Sequence, residues 1–293
     1  MSNQTVSVAE LGPLKGRVLP NSLAQIVTVT KYELLNYFRS RRFFVLLIIG
    51  LLISGLLTAV VGYYRPSSFV DNVLGFYASW WGSSQLATLV IILSGIFFGG
   101  DAISGEFQNK TGYYLVPNPL RRSSIYVGKW LAAFSASLII IAEFAIITMA
   151  NGFYYFGLNV PTQFGYSLLL AAMYLAAVLG FTFFFSSLFK SSSMSILVTA
   201  ILFLFAFTLI QTLIVSLVKI EPWFMLTYGS DTIANVLQDQ YPQHVTTGHI
   251  RGPESPIATV YNVTIPEGVA IMVAYFVVTG ILGLVLFERK EFT

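Results

Sequence analysis

The chain has 293 residues, of which 56% are hydrophobic and only 10% charged. That balance lies far from a soluble domain's and leaves no polar surface from which to build a soluble shell around a core. A net charge of +3 and a pI near 9.0 would suggest nucleic acid for a soluble protein, but here the basic residues have another explanation, and no nucleic-acid partner is expected. With zero cysteine, disulfides, thiolate metal sites and cysteine nucleophiles are excluded together.

Residues 1–20 carry Gly12, Pro13, Gly16 and Pro20 among small polar residues and read as a flexible tail. About forty mostly polar residues precede the first apolar run, so no signal peptide is expected. After Pro20, Asn21 or Ser22 can cap a helix. Its apolar positions Leu23, Ile26, Val27, Leu34, Tyr37 and Phe38 recur at helical spacing and end in the basic cluster Arg39, Arg41, Arg42. Such a helix suits the inner membrane surface, its basic end against anionic headgroups. An ordinary juxtamembrane linker is the alternative.

The run Phe43 to Tyr64 is free of charge over 22 residues, enough for a helix to cross a hydrocarbon core of about 30 Å. Comparable runs follow at Ser84–Gly100, Trp130–Phe156, Phe164–Phe189, Met194–Val218 and Val269–Phe287. The predicted fold is therefore all-α, a polytopic membrane protein with six transmembrane helices, with residues 21–293 as one membrane domain. Alternate connections put thirteen of the sixteen Lys and Arg residues on one side and leave only Arg65, Lys219 and Arg251 on the other. The positive-inside rule then sets both termini in the cytoplasm of a cell-membrane protein.

Gly95 and Gly99 form a G-x-x-x-G that suits close helix packing within the bundle or in a dimer. Trp80, Trp81, Tyr63, Tyr64, Tyr154 and Tyr155 fall near expected outer ends and read as an aromatic belt. The longest outer loop, 219–267, contains Ser230 as a prospective N-cap for a short helix over Asp231–Leu237, half-buried at the outer interface. His244 and His249, with Asp239, lack the spacing of a metal site and read as solvated loop residues. Asn262-Val263-Thr264 is a glycosylation sequon on the side where one is usable.

Glu143 is the one ionisable residue inside a predicted span. It suits either a substrate path or a helix-to-helix hydrogen bond, with Gln211 or a serine as partner. Residues 101–130 form the most structured inner connection. Asp101 and Glu106 sit at the end of the second run, Pro117 and Pro119 break any continuing helix, and Ser123 can cap the next.

This connection, with Ile103, Glu106, Thr111, Leu115, Pro119, Arg121, Arg122, Ile125 and Lys129 in order, resembles the permease subunits of ATP-binding cassette transporters of the type-2, exporter-like class. Lys110 departs from the glycine usual there. The resemblance extends to the K-Y-E-L-L-N-Y-F-R-S-R-R-F helix before the first span, the six spans, the outer segment before the sixth and the E-R-K-E-F end. It implies a cytoplasmic coupling helix, with Asp101, Glu106, Thr111, Arg121 and Arg122 contacting the ATPase, and an outer re-entrant-like segment. It also implies a second permease completing a path to which Glu143 and Gln211 are candidates. No G-x-x-x-x-G-K-[ST] occurs, so no cofactor is expected on this chain, and ATP and magnesium belong to a separate ATPase subunit. Neither paired intramembrane aspartates nor H-E-x-x-H nor G-x-S-x-G is present to favour an intramembrane enzyme. A membrane anchor or sensor that recruits a soluble partner without transport is the alternative function.

Overall fold

The computed structural model describes residues 21–64, 72–82, 86–109, 121–249 and 257–290. The proposed tail, Thr111 and the Pro117/Pro119 turn lie outside the described residues. Six helical stretches are long and apolar enough to cross a membrane: Arg41–Tyr64, Val73–Gln108, Arg122–Phe156, Thr162–Leu188, Ser192–Val218 and Ile265–Arg289.

Helix α1 (Ser22–Arg39) leads through Ser40 into α2 (Arg41–Tyr64), the first span. The second span is built in pieces: α3 (Val73–Tyr77), a π turn (Ala78–Gly82), α4 (Leu86–Gly99) and α5 (Ser104–Gln108). The third, α6 (Arg122–Phe156), has 35 residues. At about 1.5 Å per residue it is roughly 52 Å long and projects well beyond a 30 Å hydrocarbon core. Its start at Arg122 rather than Trp130 puts Lys129 inside a continuous helix. The fourth span is α7 (Thr162–Leu188). The fifth runs through α8 (Ser192–Ile201), a π turn, α9 (Phe207–Leu213) and a second π turn to Val218. It stops where Lys219 takes a left-handed φ of 55°, a conformation that ends helices.

The core lies along α4, α6, α7 and α12 (Ile265–Arg289), with α7 at its centre. The glycine pair of α4 faces α7. A methyl placed on Gly95 would lie 2.5 Å from Val178 Cγ1, and one on Gly99 would overlap Thr182 Oγ1. The G-x-x-x-G motif thus serves packing inside this chain. Opposite in character, the most apolar windows of the first and fifth spans are only 22% and 6% buried.

Two readings of the aromatic residues differ from the structure. Tyr63, Tyr64 and Tyr154 are exposed, as a belt requires, but Trp80 and Trp81 are 2% and 1% exposed. The π turn brings them inside, where Trp81 Nε1 donates to Ser167 Oγ at 3.0 Å. Ring contacts with Phe76, Phe144 and Phe164 replace contact with lipid headgroups.

The 219–267 connection contains α10 (Leu226–Ser230), α11 (Thr232–Asn235) and an antiparallel ribbon, β1 (Val245–His249) with β2 (Ile257–Tyr261). The ribbon is the one departure from an all-helical chain among the described residues. Ser230 closes α10, its hydroxyl donating to Thr227 O at 2.6 Å, rather than capping a helix at Asp231. The short helices pack deeper than half-buried: Leu226, Tyr228, Ile233 and Leu237 are at most 1% exposed, and Ser167 Oγ donates to Ile233 O at 2.6 Å. The sixth span begins at Ile265, earlier than its apolar run, because Thr264 and Glu267 form a capping box with Pro266 in the first turn.

Candidate functional site

The basic end of the bundle is held by ion pairs and backbone caps that tie distant segments together. Lys129, 5% exposed, puts its Nζ 2.5 Å from Glu33 Oε1 on α1 and 2.7 Å from Glu106 Oε1 on α5. Arg42, at the start of α2, pairs with Asp101. Helix α1 crosses α6 at Gly128, where a Cβ would lie 2.8 Å from Val29 Cβ, and Thr30 Oγ1 donates to Gly128 O at 3.2 Å. Tyr37 OH donates to Phe98 O at 3.0 Å.

Ser186 of α7 accepts the backbone N–H groups of Ile103 and Ser104, each at 3.0 Å, satisfying donors at the start of α5 that would otherwise be orphaned. Gln108 Oε1 accepts from Ser192 N at 2.7 Å. On the far side Lys290 Nζ donates to the carbonyls of Ser187 and Phe189 at 2.9 and 2.8 Å and lies 4.3 Å from the Phe107 ring centroid. Burial, with a smaller contribution from Lys190, pushes the Lys290 ammonium down to about 8. Arg122 Nη1 donates to Glu288 O at 2.7 Å and Lys290 O at 3.1 Å. The Arg121 backbone N–H donates to Gln25 Oε1 at 3.1 Å while its side chain is exposed.

Of the residues singled out for ATPase contact, Asp101 and Glu106 therefore meet cations of this same chain. Arg122 reaches the C-terminal end of the bundle, and Arg121 is exposed. Thr111 is outside the described residues. Lys129 and Glu33 were missed as a functional pair. Lys129 is the only lysine within the long third helix, but its partners lie 23 and 96 positions back in sequence, where no local pattern links them.

A second polar feature runs between α2 and α6. The Glu143 carboxyl lies directly against the Cα of Gly50, in space that only a glycine leaves open. Its buried oxygens accept no well-formed hydrogen bond from a described residue, and Ser54 beside them donates instead to Gly50 O. Two turns on, Asn151 Nδ2 donates to Thr58 Oγ1 at 3.0 Å. Gln211 is not Glu143's partner. It accepts from Thr227 Oγ1 at 2.6 Å and lines a cavity of about 580 Å³ at the other end of the molecule, with Thr208, Thr212, Asp231, Asn235 and Asn262. Burial pushes the Asp231 carboxyl up to about 7, opposed in part by a hydrogen bond from Gln211. The sequence marked Asp231 only as a helix start.

Six apolar spans around a shared core, with most of the basic residues gathered at one end, define a polytopic helical membrane protein. A family model described as ABC-2 family transporter protein matches residues 27–292. The chain belongs to that family and is a membrane component of an ABC-2 type transporter, whose members lack ATPase domains and generally pair with ATPase subunits. No curated protein matches the chain.

Proposed function

We propose that this permease is half of the membrane portion of an ATP-driven exporter in the cell membrane, with both termini in the cytoplasm. A second copy or a related permease completes the substrate path, and separate ATPase subunits bind ATP and magnesium. The observation that carries this reading is the Lys129 cluster. One ammonium joins α1, the third span and α5, the helix that enters the 109–121 connection, so force applied to that connection reaches a transmembrane helix through a short ionic link. A solvated loop needs no such anchorage. It is this organisation that favours a moving joint over a passive anchor.

In this account α5 and the residues after it are the coupling segment, and the exposed Arg121 is the first candidate for direct ATPase contact. Asp101, Glu106 and Arg122 hold the segment in place from within. Helix α1 lies at the inner membrane surface, with exposed Leu23, Val27 and Leu35 within one arc of the helix that can meet lipid. The α10–α11 segment is the re-entrant-like outer element. The second permease covers the fifth span, which buries little of itself in this chain.

Glu143, whose carboxyl is buried in the α2–α6 seam without a well-formed hydrogen bond, belongs to the translocation path. Glu143→Gln preserves shape and removes the ionisable group. In the complex reconstituted with its copurifying ATPase, the variant is expected to assemble normally while transport, or substrate-stimulated hydrolysis, falls. Unaltered transport would remove Glu143 from the path.

A further inference from the structure

Three segments of the outer connection bring electron-pair donors to one point. Glu221 follows the fifth span, His244 precedes β1, and Glu267 sits in the first turn of α12. One ligand atom from each lies within 4.8 Å of the other two. His244 Nε2 is 3.3 Å from Glu221 Oε2.

Each of the three is also held from behind. His244 Nδ1 is 3.0 Å from the Asn262 carbonyl, which can only accept, so Nδ1 is the donor there and Nε2 is the nitrogen turned toward the carboxylates. Tyr228 OH donates to Glu221 Oε1 at 2.6 Å, leaving Oε2 for the shared point. Glu267 Oε2 accepts from Thr264 N at 3.3 Å. An imidazole oriented by a backbone carbonyl and a carboxylate oriented by a phenol are the outer partners that metal ligands take. Two ligands about 2.1 Å from a tetrahedral ion stand about 3.4 Å apart, close to the observed His244–Glu221 separation. With neither a metal ion nor a proton between them, three electron-pair donors would face one another.

We propose that Glu221, His244 and Glu267 bind a divalent transition-metal ion of the zinc class, with one coordination position open to water. The ion would clasp the end of the fifth span, the base of the β-ribbon and the start of the sixth span. Tyr228 and Asn262, which orient two of the ligands, also line the polar cavity, so the clasp stiffens the roof of that cavity. This site stands independently of the coupling account at the opposite end of the molecule.

The chain has two histidines and no cysteine, so a tag-free preparation gives a clean test. Zinc titrated into the full chain in lipid nanodiscs is expected to bind at one ion per chain and to raise its thermal midpoint. His244→Ala and Glu221→Gln should each weaken binding by more than about 100-fold, since loss of orienting partners alone costs about 10–100-fold. His249→Ala should leave it unchanged. X-ray absorption at the zinc edge of the wild-type protein should register one imidazole among oxygen ligands, a readout that needs no variant to fold. Absence of stoichiometric binding, an edge spectrum without imidazole, or wild-type affinity in His244→Ala would overturn the proposal.

Discussion

Replacing Lys129 by methionine is expected to lower the stability of the purified permease by about 3–5 kcal/mol, the cost of leaving a buried ion pair half-dismantled. Glu33 and Glu106 are only 20% and 16% exposed on their side chains, so water cannot fully replace the ammonium for either. They would also repel each other across the vacated space. Glu33→Gln and Glu106→Gln combined with Lys129→Met should recover most of the loss, because a neutral cluster has no unpaired charge to bury. Unfolding in mixed micelles measures both. A single variant within about 0.5 kcal/mol of wild type would mean that the cluster is effectively solvated and carries no force.

Gly99→Leu is expected to cost about 3 kcal/mol, at the upper end of overpacking effects. Thr182 is fully buried, and Leu179 Cδ2 stands 3.1 Å from where a Cβ would go. Thr182 Cβ, fixed to the backbone, lies 3.0 Å from the same point, so the clash is relieved by moving α7 away from α4. Ser186, one turn beyond Thr182, holds the N–H groups of Ile103 and Ser104, so the shift would also loosen α5. Lower thermal midpoints and weaker ATPase retention should therefore appear together. Gly165→Leu is the control: nothing lies within 4 Å of a Cβ there, and it should be neutral or stabilising by up to about 1 kcal/mol, the helix-propensity gain of losing a glycine. Equal midpoints for the two variants would show that the α4–α7 contact is slack.

The spans were legible because hydrocarbon leaves a helix no alternative to about twenty consecutive apolar residues, and the basic residues mark one set of connections. The 101–130 connection could be recognised from the order of its charged, proline and glycine positions. What the charges do was not legible. Glu106 reads as an exposed docking group until Lys129 is seen beside it, and the same holds for Asp101 and Arg42. Trp80 and Trp81 fit an interfacial belt by position, and only the π turn after Tyr77 carries them into the core. Glu221, His244 and Glu267 lie 23 residues apart at each step, so their meeting depends on the path of the ribbon and not on any spacing rule. Periodicity reports which face of an element is apolar; it says nothing about which distant polar groups will share that face.

The end of the bundle carrying α5 is expected to face the cytoplasm and to bear the joint with the ATPase. The cysteine-free chain allows this to be measured at one exposed position, Asn109, directly after α5. A single cysteine there should resist an impermeant thiol reagent in intact cells and react once the membrane is opened, whereas one at Tyr63, at the opposite end of α2, should react from outside. In membranes containing both subunits, the Asn109→Cys side chain should cross-link to the ATPase in a yield that changes between the ATP-bound and nucleotide-free states. Labelling of position 109 from outside, or a copurifying ATPase that never cross-links to it, would contradict the account.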